Sequence, residues 1–141
     1  MAKVLIIEDD HFLSNILKNR LVKDGLEVVQ AFDGNEGLAA LRQDKPDLIL
    51  LDLIMPQVSG FEVLEAISTD PELSKIPVFI ASNLGQDTDI QKAKSLGAMD
   101  YYVKVRTSID ELANIVKNAI TPKNEATPAE QPPPQPQTQP Q

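Results

Sequence analysis

Six side chains of this sequence stand where chemistry is possible. Glu8, Asp9 and Asp10 follow the run VLII, Asp52 follows LILL, Ser82 follows VFIA and Lys104 follows YYV. Glu8, Asp9 and Asp52 make an oxygen-only ligand set with no His or Cys, which suits Mg2+ or Mn2+ rather than zinc. Lys104 adds a positive charge and Ser82 a hydroxyl. Three acids, a divalent cation, a lysine and a hydroxyl can hold a phosphoryl group at a carboxylate. Asp52 is the most demanding of the six. It lies among Leu48, Ile49, Leu50, Leu51, Leu53 and Ile54, and a carboxylate taken out of water costs several kcal/mol unless it is paired, hydrogen-bonded or metal-bound.

Each residue also has a plainer reading. An acidic triplet can complement the N-terminal dipole of a helix. Ser82 can be a turn residue, and Asp52 can open a turn before Met55-Pro56. A lysine ending a strand ordinarily protects an exposed edge. The chemical reading requires all four positions to meet at one place, so it depends on the elements that carry them.

Short aliphatic or β-branched runs at Lys3–Ile7, Leu26–Ala31, Asp47–Leu51, Pro77–Ala81 and Asp100–Lys104 predict five strands. Helical spacing lies between them. Phe12, Leu13, Ile16, Leu17 and Leu21 form a stripe stopped by Gly25. Further helices are expected over Asn35–Arg42, Ser59–Ser68, Thr88–Leu96 and Ser108–Ile120, the last opening on the capping-box pattern Ser108-Ile-Asp-Glu111. Five such units predict an α/β fold, a doubly wound five-stranded parallel sheet with helices on both faces. The all-apolar stretch 48–51 fits its buried centre. Ligands of such sheets bind at the carboxyl ends of the strands, near the topological switch point. Four of the five strand ends carry groups that bind a cation or a phosphate.

The chain has 141 residues. Residues 122–141, PKNEATPAEQPPPQPQTQPQ, hold seven of the eleven prolines and no large apolar side chain. They are expected to form a disordered tail, leaving one domain over residues 1–121. That domain carries 19 acidic and 12 basic residues, a net charge near −7. Such a balance disfavours a nucleic-acid surface and fits a protein that attracts a cation. No apolar run reaches the roughly 18–20 residues that span a bilayer. MAKVLIIEDD is too short in apolar residues for a signal peptide, and no cysteine is present. A cytoplasmic protein acting on neither membrane nor nucleic acid is expected, with no output domain after residue 121.

The four motifs together resemble the receiver domain of bacterial two-component response regulators, of the stand-alone, chemotaxis-regulator-like kind, over residues 2 to about 120. VLIIEDD is similar to the family's acidic motif on the first strand, and PDLILLDLIMPQVSG to its phosphoacceptor motif. IPVFIASN resembles its fourth strand and GAMDYYVKV its fifth. Ser82 lies thirty residues after Asp52, and Lys104 twenty-two after Ser82. The resemblance implies a flavodoxin-like (βα)5 fold with strand order 2-1-3-4-5. It implies that Asp52 accepts a phosphoryl group from a histidine kinase or histidine phosphotransfer protein. Mg2+ (or Mn2+) would be held by Asp9, Asp52 and the Ile54 backbone carbonyl, with Glu8 acting through a water. Lys104 and Ser82 would hold phosphoryl oxygens, and Tyr101 would move inward with Ser82 as a switch. The relayed signal would pass to a downstream protein through the surface of helix four, strand five and helix five. Catalysis would extend only to the chain's own aspartyl phosphorylation and dephosphorylation.

The sequence departs from the family at several places. Val105 stands where proline usually follows the lysine. A cis bond before valine costs about 3–4 kcal/mol, so a trans loop or strain is expected there. Asn83 stands where Ala or Gly is common, and either narrows access to Asp52 or adds a hydrogen bond. Ile54 and Leu84 occupy the positions that tune dephosphorylation, and neither can orient a water, so slow loss of phosphate is expected. His11 is expected to be a helix-entry residue rather than a ligand. Two other functions share parts of this pattern. A Mg2+-dependent phosphohydrolase of the haloacid-dehalogenase type needs an acid two residues after its nucleophile, where this chain has Ile54. A receiver-like docking module that needs no phosphate is compatible with Val105 and Asn83, though the intact acids argue against it. A nucleotide-binding loop after the first strand is absent.

Overall fold

In the computed structural model, residues 2–120 are described. The proline-rich tail and its boundary lie outside the described residues. Five strands, β1 Lys3–Ile7, β2 Glu27–Ala31, β3 Leu48–Leu51, β4 Val78–Ser82 and β5 Asp100–Val103, alternate with five helices. The helices are α1 His11–Lys23, α2 Gly34–Gln43, α3 Gly60–Ser68, α4 Asp87–Ser95 and α5 Ile109–Ile120. All strand pairs are parallel, in the order β2-β1-β3-β4-β5. The predicted fold class and strand order therefore hold.

Two apolar cores flank the sheet. Leu17 and Leu21 of α1 pack with Leu112, Ala113 and Val116 of α5 against Val4, Ile6, Leu48 and Leu50. Leu41 of α2, Val63, Leu64 and Ile67 of α3 and Ala93 of α4 pack against Leu5, Ile7, Ile49, Leu51 and Ile80. Alternate residues of one strand thus serve opposite faces, as period two demands. All four β3 residues are buried, which is why its run has no polar member.

Strand and helix ends differ from expectation by a residue or so, for local reasons. Gly25 takes φ +95, and Leu26 turns back to donate to the Leu21 carbonyl at 3.0 Å, so β2 begins at Glu27. Ser82 lies inside β4 rather than after it. Lys104 opens a 3-10 turn, Lys104–Arg106, instead of ending β5. Asp10 and Asp33 cap α1 and α2 by accepting from Leu13 N–H and Glu36 N–H. Reciprocal capping boxes close the starts of α3, through Ser59 and Glu62, and of α5, through Ser108 and Glu111. Helix α4 has no side-chain cap and buries only Ala93. It is the helix with the least holding it in place.

Candidate functional site

Register brings the chemistry together. Ile7 pairs with Leu51 across β1 and β3, so Glu8 and Asp52 emerge side by side at the carboxyl edge of the sheet. Asp52 N–H still donates to the Ile7 carbonyl at 3.0 Å. Ser82 pairs with Val103 across β4 and β5, which sends Lys104 out on the same edge. These residues meet in a depression of about 240 Å³ lined by Glu8, Asp9, Asp10, Asp52, Ile54, Asn83 and Lys104.

Asp52 forms the floor, 5% exposed, and Glu8 is 3% exposed. Lys104 Nζ lies 2.6 Å from Glu8 Oε1 and 3.4 Å from Asp52 Oδ2. The resemblance gives Lys104 a phosphoryl oxygen on Asp52 as its partner; its shorter contact here is to Glu8, a pairing that sequence spacing does not reveal. Asp52 Oδ1 accepts from Leu53 N–H at 2.8 Å, and Glu8 Oε2 from Asp10 N–H at 3.1 Å. Burial raises the Glu8 pKa to about 7, with the Lys104 hydrogen bond pulling it down and the Asp52 charge pushing it up. Burial likewise raises Asp52 against the pull of Lys104 and the Leu53 amide. For Lys104, burial favours the neutral amine, but the hydrogen bond to Glu8 and the charges of Asp52 and Glu8 outweigh it and raise its pKa. One lysine does not compensate this cluster.

A divalent cation fits the deficit. Glu8, Asp9 and Asp52 each offer a carboxylate oxygen within 4.8 Å of the others, and the donors are hard oxygens of the kind Mg2+ and Mn2+ prefer.

Ser82 is fully buried, and its Oγ accepts from Leu84 N–H at 3.2 Å. Tyr101 Oη donates to the Leu84 carbonyl at 2.5 Å. The hydroxyl and the tyrosine are therefore joined through the backbone of one residue in the β4–α4 loop. Leu84 itself packs on the core, whereas Ile54 is 55% exposed. Asn83 is exposed and lines the depression. His11 is the first residue of α1 and stacks on Phe32, ring centroids 3.9 Å apart, so it is a helix-entry residue. Val105 is exposed in the turn after Lys104, and the peptide bonds of the described residues are all trans. The trans alternative holds there.

Two residues that composition did not single out shape the loop after β3. Gly60 opens α3 so close to the site that a Cβ would sit 2.2 Å from the Asp52 carbonyl oxygen. Gln57 holds φ +68, in the left-handed region that disfavours a Cβ. Replacing Gln57 with Gly removes that penalty but adds chain entropy, for an expected net gain of about 0.5–1 kcal/mol. A urea midpoint that falls in Gln57→Gly contradicts this.

The chain belongs to the family of response regulator receiver domains: the family model described as "Response regulator receiver domain" matches residues 4–117. It is 39% identical over 104 residues to protein PilH of Pseudomonas aeruginosa, covering 74% of this chain and 86% of PilH. Longer relatives, named as transcriptional regulators, are spanned over half their length or less, 50% and 43% in two cases. Among solved structures it resembles the Vibrio cholerae chemotaxis protein CheY4, with TM-score 0.78 and 28% identity over 85% of this chain and 99% of that one. The Mn2+-bound form of response regulator Rcp1 superposes with TM-score 0.74 at 28% identity, over 84% of this chain and 91% of that one. Among the described residues no helix is long and apolar enough to cross a membrane.

Proposed function

We propose that this receiver is a phosphorylation-controlled binding module. Its phosphoryl donor is a phosphohistidine on a histidine kinase or phosphotransfer protein. One observation carries the reading: a buried carboxylate, Asp52, floors an open acidic depression with Lys104 Nζ 3.4 Å away. An Asp52 oxygen attacks the phosphorus, the nitrogen–phosphorus bond breaks, and the imidazole leaves with the electron pair. Asp9, Asp52 and the Ile54 carbonyl, with Glu8 acting through a water, would hold a divalent cation, which when bound would neutralise charge on the carboxylates and the phosphoryl oxygens. Lys104 contributes the fixed positive charge from the protein side. The chain turns over no separate substrate.

Phosphorylation changes one negative charge at position 52 to roughly two and adds strong acceptor oxygens. Ser82 Oγ–H donates to one of them, which draws on the Leu84 amide it now holds. Tyr101 follows through the Leu84 carbonyl, and α4, the least anchored helix, shifts with the loop. Moving a two-state equilibrium from mostly off to mostly on takes about 5.5 kcal/mol. Charge-assisted hydrogen bonds at about 1.5–3 kcal/mol each, from Lys104, Ser82 and loop backbone, supply that order of energy. The surface of α4, β5 and α5 then presents a changed face to a protein target in the cytoplasm.

The test is intact-mass measurement after incubation with a small acyl phosphate and Mg2+. The parent protein gains one phosphoryl group and Asp52→Ala gains none; equal masses favour a docking module that needs no phosphate. Ile54 and Leu84 are apolar and hold no attacking water, so the doubly substituted Ile54→Asn, Leu84→Glu protein loses its phosphoryl group faster. Unchanged decay contradicts that role for the pair.

A further inference from the structure

Helix α4 is held unevenly. Beyond its last turn, Met99 N–H donates to the Val78 carbonyl at 2.8 Å and Ala98 N–H to the Ala93 carbonyl at 3.0 Å, so this end is tied to β4. The first turn has no side-chain cap, and Ala93 is the only buried residue of the helix. Helix α3 is fixed at its start. Gly60 N–H donates to the Leu53 carbonyl at 2.8 Å, the capping box is complete, and the main chain of Asp52 and Leu53 leaves no space for a Cβ at Gly60. Phe61 therefore stands on an anchored turn beside the phosphoacceptor, half-buried against the core. Lys92 bridges the two helices: its Nζ sits over the Phe61 ring, 4.4 Å from the centroid. None of the ion pairs among the described residues involves Lys92, so its charge is directed at the ring and not at a carboxylate.

We infer that the Lys92–Phe61 contact is a latch that holds α4 in its resting position and biases the receiver against its switched form. The inference rests on the proposed function, in which the β4–α4 loop and α4 move once Asp52 carries a phosphoryl group. Phe61 belongs to the part of the molecule that stays, and Lys92 to the helix that moves. The attraction between an ammonium and a ring face fades beyond about 6 Å from the centroid. A contact that weakens as α4 leaves favours the state that keeps it, and its removal shifts the population toward the other state. Lys94, two residues on, is exposed and lies over no ring among the described residues. It supplies a matched control on the same helix.

The experiment records amide-resolved NMR spectra in Mg2+, without a phosphoryl donor, for the parent, Lys92→Gln, Lys92→Arg, Phe61→Leu and Lys94→Gln. The parent treated with a small acyl phosphate marks the switched end of the scale. Glutamine removes the charge at similar length, whereas arginine keeps a cation that stacks on the ring. In Lys92→Gln and Phe61→Leu the ratio of switched to resting form should rise about two- to fivefold, the size of an exposed cation–π contact. The signals of Leu84, Tyr101 and α4 should accordingly move toward their positions in the phosphorylated parent. Lys92→Arg and Lys94→Gln should stay with the parent. Lys92 is exposed, so Lys92→Gln carries the test even where Phe61→Leu fails to fold. Unmoved signals in Lys92→Gln overturn the inference. An equal displacement in Lys92→Arg or Lys94→Gln also overturns it, since the cause is then not a cation on the ring. A parent whose signals ignore the acyl phosphate overturns the reading of Asp52 itself; a responsive parent with an unmoved Lys92→Gln overturns the latch alone.

Discussion

Glu8→Gln makes the metal-free protein more stable at pH 8, and it flattens the dependence of stability on pH. Glu8 is 3% exposed and shares Lys104 with Asp52. Its pKa rises from 4.5 to about 7, chiefly because burial penalises the carboxylate. A group whose folded pKa is raised binds its proton more tightly when folded. Its stabilising effect is complete below pH 4.5, the unfolded value, and is lost as pH rises through about 7. The size is on the order of 3 kcal/mol across that window. Asp52, also raised by burial, acts in the same direction. Denaturant unfolding of the metal-free parent should therefore show falling stability from pH 5 to pH 8, with a shallower fall in Glu8→Gln. Added Mg2+ should restore stability at pH 8 in the parent and do so less well in the variant. A variant less stable than the parent at pH 8 without metal would mean that the Lys104 ion pair outweighs the burial of the acid.

Gly60→Ala is the second large effect, and it acts on the backbone that holds the phosphoacceptor. The added Cβ would lie 2.2 Å from the Asp52 carbonyl oxygen and 2.5 Å from Leu53 Cα. Both atoms belong to main chain, which has no flexible end to swing aside. The Gly60 N–H also donates to the Leu53 carbonyl at 2.8 Å, so retreat of α3 breaks that bond. Overpacking of this kind costs about 1–3 kcal/mol and a lost backbone hydrogen bond about 1 kcal/mol more. Equilibrium unfolding should show a loss of about 2–4 kcal/mol, and phosphoryl acceptance should fall because Asp52 is displaced. A native-like midpoint in Gly60→Ala would show that the loop after β3 yields without effort.

Much of the site was legible in the sequence because a parallel sheet maps strand ends to one edge. Once Leu48–Leu51 is read as a buried central strand, Asp52 has to emerge beside Glu8, and the register of Ile7 with Leu51 carries this out. The capping pattern at Ser108 and Glu111 likewise predicts the observed start of α5. Other features depend on distances that no linear pattern encodes. Lys104, which opens the turn Lys104–Arg106, lies nearer Glu8 than Asp52, a difference that spacing does not encode. The role of Gly60 needs the approach of α3 to the β3 end, and Gln57 adopts φ +68 with no glycine or asparagine to announce it. Element ends shifted where a local hydrogen bond won, as at Leu26, whose amide closes α1 instead of joining β2.

The most direct test of a phosphorylation-controlled surface joins the chemistry at Asp52 to the face that reads it. Amide-resolved NMR spectra of the parent and of Asp52→Ala would be recorded in Mg2+, before and after addition of a small acyl phosphate. Donor-dependent shifts are expected in the parent alone, running from Asp52 through Ser82 and Leu84 to Tyr101 and the residues of α4. Spectra that respond equally in Asp52→Ala, or shifts confined to Glu8, Asp9 and Asp52, would contradict such control.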